Sequence, residues 1–159
     1  MEYAAMSFDL FILCPNLDPS VAERFNAIRH PGLPEGLKID PDTCTADNSC
    51  VLIEENGDEW GELYPDRIRW ASEPNCPTSI NSEWVELHFP SRGDPDVFHV
   101  AAALAEAARG WVFDPQGAAQ EVDFPIGEDE DSQHAGHGFY TPAIARRIGE
   151  LLATKFRWD

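Results

Sequence analysis

The segment Ser7-Phe8-Asp9-Leu10-Phe11-Ile12-Leu13-Cys14 constrains the fold of this chain most. It is a dense apolar and aromatic run closed by Pro15-Asn16, and it reads as a central strand of a sheet. Asp18-Pro19-Ser20 then opens a helix. Asp18 can cap free amides, and Pro19 suits the first helical position, where no donor is needed. Val21, Phe25 and Ile28 fall at i, i+4 and i+7, one buried stripe, before Pro31-Gly32 stops the helix. A second helix repeats this opening at Asp94-Pro95 and runs through Val97, Val100, Ala101, Leu104 and Ala108 to Gly110. Its alanines suit close packing against a sheet. Trp111-Val112-Phe113-Asp114 is the strand that follows, stopped by Asp114-Pro115-Gln116-Gly117.

Between the two helices, residues 33–49 read as loop and Cys50 to Glu55 as a second strand. Asn56-Gly57 is a strong turn signal. Ile68-Arg69-Trp70 is a candidate short strand, and Pro74 to Asn81 is loop. Trp84 to Phe89 alternates with period two, with Trp84, Glu86 and His88 on one face, as in a half-exposed strand. Residues 118–140 read as an acidic loop, and Thr141-Pro142 starts a last helix with Ile144, Ile148, Leu151 and Leu152 on one face. This order predicts an α+β fold: a ferredoxin-like split βαβ arrangement with an antiparallel sheet, helices on one face and an extra C-terminal helix. The 159 residues are expected to form a single domain, with 1–6 disordered and Met6 a possible alternative start. A domain of this length buries roughly 68–70% of its unfolded surface, enough for a core without disulfides or metals.

Charge narrows the function. The chain carries 29 acids against 11 bases, a formal net charge of −18. A field of that sign repels phosphate backbones and anionic membranes, so neither nucleic acid nor a membrane surface is an expected partner. Basic proteins are favoured instead. From Ile39 to Asp66 there are nine acids, and from Gly110 to Ala145 seven, with no Lys or Arg in either stretch. Arg146, Arg147, Lys155 and Arg157 make the C-terminal helix and tail basic. The candidate partner-binding residues are Glu54, Glu55, Asp58, Glu59, Trp60 and Glu62 in the first stretch. In the second they are Glu121, Asp123, Glu128, Asp129, Glu130 and Asp131. Trp60, Tyr64, Phe124, Phe139 and Tyr140 lie among these acids, either as exposed anchors for a basic partner or as rings folded back onto the core. Acids also collect in loops for solubility alone.

The residues point less to catalysis. There is no GxSxG and no glycine-rich phosphate loop. Cys14, Cys44, Cys50 and Cys76 form no CxxC pair. Cys14 reads as a buried small hydrophobe, and Cys44 and Cys50 are close enough in sequence to meet across a loop. Two sites are weaker candidates for an enzyme reading. His134 and His137, beside Glu128 to Asp131, suggest a divalent metal, but the flanking glycines are floppy and no third ligand has a matching spacing. Glu86 and His88 on one strand face suggest acid–base work in a small hydrolase. No cofactor is expected. The start has no basic region, and the run from Phe8 to Cys14 is too short to span a bilayer, so the expected location is cytoplasmic.

Two segments carry a resemblance: Ser7-Phe8-Asp9-Leu10-Phe11, and the helix Ala101 to Arg109 leading into Gly110-Trp111-Val112-Phe113-Asp114-Pro115-Gln116. Together they resemble small bacterial proteins, some of which are similar to the immunity partners of secreted toxins. The resemblance implies a cytosolic immunity or antitoxin protein, monomer or homodimer, that neutralises a cognate toxin with a basic surface. It implies no catalytic residue. Acidic inhibitors of basic nucleases work by presenting carboxylates where the enzyme expects phosphates. A phage-type inhibitor or nucleic-acid mimic is the alternative of the same kind.

Overall fold

The computed structural model describes residues 8–45, 50–92 and 96–155. Its centre is strand β1 (Phe8–Cys14), which pairs antiparallel with β5 (Val85–Arg92) on one side and β6 (Trp111–Phe113) on the other. Beyond β5 lies the long strand β4 (Asp58–Arg67). The first part of β4 pairs with β3 (Val51–Glu55) and its last four residues pair with β5. Strands β2 (Leu37–Ile39) and β7 (Phe139–Tyr140) form the two edges. Among the described residues this is a seven-stranded antiparallel sheet in the order β2-β3-β4-β5-β1-β6-β7.

The alternation of β1 splits its side chains between two cores. Leu10, Ile12 and Cys14 face a large apolar cluster with helices α1 (Pro19–Ala27), α2 (Asp96–Ala108) and α5 (Pro142–Lys155). Phe11 and Leu13 face the other way, onto Phe113, Phe139 and Ile80, with Ile68, Trp70 and Trp84 packed over them. The irregular segment between β4 and β5 therefore covers the second face. This double cover explains why β1 has almost no polar positions.

Local chemistry sets the helices. Asp18 accepts from the backbone of Ser20 (2.8 Å) and Val21 (3.3 Å), and a cap of this kind contributes about 1 kcal/mol. Eleven of the thirteen residues of α2 are buried, because the helix is packed between α1, α5 and the sheet. Gly149 lets α5 approach: a Cβ there would sit 3.0 Å from Phe98 Cβ. Asn26 on α1 closes the edge at β2, donating to the Ile39 carbonyl (3.1 Å) and accepting from its N–H (2.8 Å). An edge strand whose polar groups are already paired cannot recruit another strand there.

Several short elements differ from the reading of the sequence. The stretch 33–49 contains β2, which stands only because β3 pairs with it. Residues 68–70 are not a strand: β4 ends at Arg67, and Trp70–Ser72 is a 3-10 turn. The stretch 118–140 is not one loop, since it holds α3 (Ala118–Glu121), α4 (Glu130–Ala135) and β7. Helix α1 stops at Ala27, before Pro31. The expectations for residues 1–6 and for Asp94-Pro95 lie outside the described residues. No described helix is long and apolar enough to cross a membrane.

Candidate functional site

The β3–β4 hairpin turns on Asn56 (φ 53°) and Gly57 (φ 91°), both left-handed as a two-residue type I′ turn requires. That tight turn fixes the register and sets Glu55 opposite Asp58 and Glu54 opposite Glu59. Like charges directly opposite one another cost roughly 0.2–1 kcal/mol per pair. Lys38 of β2 stands opposite Glu54 from the other side, but Glu55 faces Leu37 there. Asp58 and Glu59 are exposed, while Glu54, Glu55 and Glu62 are half-buried.

Tyr64 lies at the foot of this hairpin and is 52% exposed. Its hydroxyl donates to the Glu62 carboxylate at 2.5 Å. That bond, then the charges of Glu62 and its neighbours including Glu59, raises the phenol pKa. The other aromatics expected among the acids point inward. Trp60 is half-buried and meets Phe89 edge-on (6.2 Å between ring centres), so it is no exposed anchor. Phe124 packs on the same core; Phe139 and Tyr140 are fully buried. The Tyr140 hydroxyl donates to buried Asp114 (2.9 Å), which in turn caps the turn into α3 through Ala118 N–H (2.7 Å).

Next to Tyr64 the cover of the second face thins, and the side chains of His88 and Asp9 are each 44% exposed. The pairing places Tyr64, His88 and Phe11 in one row across β4, β5 and β1. The His88 ring stacks on Phe11 (4.8 Å), and its Nε2 lies 3.4 Å from Asp9 Oδ1. The next row holds Asp66, Glu86 and Leu13. Glu86 was expected beside His88 on a half-exposed face, yet it is 1% exposed. Arg69 covers it, donating from its backbone N–H (2.7 Å), Nε (2.8 Å) and Nη2 (2.6 Å). The same guanidinium lies over Phe11 (5.6 Å) and Trp70 (5.5 Å). The bond to Glu86 pushes the Arg69 pKa further up. Glu86 is thus held in a structural ion pair and is not placed to work with His88; Asp9 takes that position.

The second acidic group is elsewhere. Glu121, Asp123, Glu128, Asp129, Glu130 and Asp131 are all exposed, around α3 and α4 beside β7. Asp129 caps α4 by accepting from the N–H (2.9 Å) and hydroxyl (2.9 Å) of Ser132, which lowers its pKa. Strands β5, β1 and β6 separate β4 from β7. Four strand spacings amount to about 19 Å, so the two groups are separate patches and not one cluster. His134 is held by Trp111, edge-on at 5.6 Å, and by Glu130 at 3.4 Å, while His137 is exposed beyond the helix. Among the described residues no group of three or more His, Cys, Asp or Glu is arranged to hold a metal ion.

The four cysteines are free thiols, so Cys44 and Cys50 are not joined. Burial pushes Cys14 up to about 12 and Cys44 up to about 11, and each sits too deep to act as a nucleophile. No family model matches this chain, and no curated protein or solved structure is significantly similar to it.

Proposed function

We propose that this protein binds and neutralises a basic partner protein, as an immunity protein does its toxin in the cytoplasm, and that the β3–β4 hairpin is the binding face. One observation carries the reading: exposed Tyr64, bonded to Glu62, sits at the foot of a hairpin whose tip opposes two pairs of carboxylates. Acids kept for solubility gain nothing from direct opposition across a hairpin. A partner that inserts lysines or arginines relieves the repulsion, and Tyr64 supplies the buried aromatic area that charge alone lacks. The patch near α4 has no exposed aromatic of this kind; it serves encounter more than affinity.

The central strands fit the same reading. The order β4-β5-β1-β6, with α1 and α2 as the crossovers, supports a ferredoxin-like core into which the β2–β3 ribbon is inserted. The insertion lengthens the sheet and delivers the acidic hairpin. The test is co-expression with the product of the adjacent gene, read as rescue of growth and as co-purification. Rescue that is lost in Tyr64→Ala supports the proposal; rescue absent in the intact protein, with no complex formed, overturns it. A second reading rests on the half-exposed His88–Asp9 pair, since an imidazole oriented by a carboxylate can serve as a general base. It requires a turnover that His88→Ala abolishes.

A further inference from the structure

A cavity of about 500 Å³ opens where α1 gives way to β2. Ile28, Leu33 and Leu37 supply its apolar wall, and Pro31 and Pro34 stiffen the rim. Arg29, His30 and Lys38 line it, with Glu35 as the one acid in the lining. This balance is the reverse of the chain's, which has 29 acids to 11 bases. Glu54 and Glu55 stand across the ladder from Lys38 and Leu37, within the screening length of about 8–10 Å, so Arg29, on the α1 side of the cavity, is the cation best placed to meet a ligand.

Arg29 is positioned before any ligand arrives. Its Nη1 donates to the carbonyls of Asn26 (2.8 Å) and Ile28 (2.9 Å) at the end of α1. Capping a helix C-terminus would account for those two bonds alone, but a guanidinium has five N–H donors in a fixed plane, and the rest stay available. Lys38 stands opposite Glu54 across the ladder and is exposed on the face away from buried Leu37, which leaves Arg29 the main cation of the site. The β2 wall is held too: Asn56 N–H donates to the Gly36 carbonyl (3.2 Å). Gly36 has φ +83°, a left-handed conformation that favours glycine, and its missing side chain leaves room for Asn56 of the hairpin turn.

We propose that this cavity binds a small organic anion, an acidic head on an apolar body. Arg29 takes the head, with Lys38 adding charge from the strand edge, and Ile28, Leu33 and Leu37 take the body. The site adjoins the hairpin turn through Gly36 and Asn56, but it is argued from its own residues and does not depend on the partner reading. It is tested by titrating the full-length, isotope-labelled chain with octanoate, octyl phosphate and inorganic phosphate and following the amide resonances. The expected result is saturable shifts centred on residues 26–38 with both octyl ligands, and binding of inorganic phosphate weaker by at least about tenfold. The tighter of the two octyl ligands names the head group. Arg29→Gln weakens binding by about tenfold or more and Lys38→Gln by less. If Arg29→Gln loses its dispersed spectrum, Lys38→Gln alone carries the test, with a loss of about threefold expected. Absence of saturable shifts, inorganic phosphate binding as well as octyl phosphate, or affinity unchanged in the folded variants overturns the proposal.

Discussion

Removing the Arg69 side chain exposes what the Glu86 ion pair contributes. In Arg69→Ala the carboxylate keeps the backbone N–H of residue 69 and loses the bonds from Nε and Nη2. Breaking a buried pair from one side costs about 3–5 kcal/mol, because the remaining charge is left without compensation. Arg69 is 61% exposed, so water entering its place solvates Glu86 in part and lowers that figure. Loss of the contacts over Phe11 and Trp70 adds about 0.5–1 kcal/mol. The expected cost is about 2–3 kcal/mol. With a urea m-value of about 2 kcal/mol/M, the unfolding midpoint falls by about 1–1.5 M. Glu86→Gln in the Arg69→Ala background removes the stranded charge and recovers about 1 kcal/mol or more. A cost under about 0.5 kcal/mol for Arg69→Ala, or no recovery with Glu86→Gln, refutes the assignment of Glu86 to a structural pair.

Three further outcomes follow from the packing. Asn26→Leu strips both partners from Ile39 and is expected to cost about 1–3 kcal/mol and to give concentration-dependent association in light scattering, through the uncovered β2 edge. Gly138→Ala places a Cβ 2.4 Å from the Asp114 carbonyl at φ +88°, and a loss of about 1–3 kcal/mol in a thermal melt is expected; a neutral result contradicts the geometry. His99 is buried between Gly32 and Gly149 with its Nδ1 unbonded, and burial lowers its pKa below the usual 6.5, opposed by Asp96 and Glu150 and aided by His30 and Arg146. The folded state therefore binds fewer protons than the unfolded one, so stability from this group is full above the usual histidine range and falls as pH drops through it. The slope measured between about pH 7.5 and 5.5 is expected to be shallower in His99→Gln, and an unchanged slope would contradict the burial argument.

The elements that were legible in the sequence share one property: local chemistry determines them. The Phe8 to Cys14 run, the Asp18 cap and the Asn56-Gly57 turn each carry their own signal within a few residues. Strands β2 and β7 have three and two residues and exist only through their neighbours, so no period is long enough to announce them. The alternation of β5 is real, but alternation cannot say what covers a face. Arg69 reaches Glu86 from an irregular segment 17 residues earlier, and nothing near Glu86 signals it. The acids were readable as charge and not as geometry. Their division into two patches follows from strand order, and the inward turn of Trp60, Phe139 and Tyr140 follows from core packing.

In the proposed complex the hairpin and Tyr64, not the α3–α4 acids, hold the partner. Affinity for the adjacent gene's product, measured by calorimetry on two variants side by side, tests it directly. Tyr64→Ala is expected to weaken binding by about thirtyfold or more, as a central aromatic anchor does. Neutralising Glu128, Asp129, Glu130 and Asp131 together to Gln or Asn is expected to change affinity by only about threefold, chiefly through slower association. The reverse order, with Tyr64→Ala silent and the α4 patch indispensable, would contradict the account.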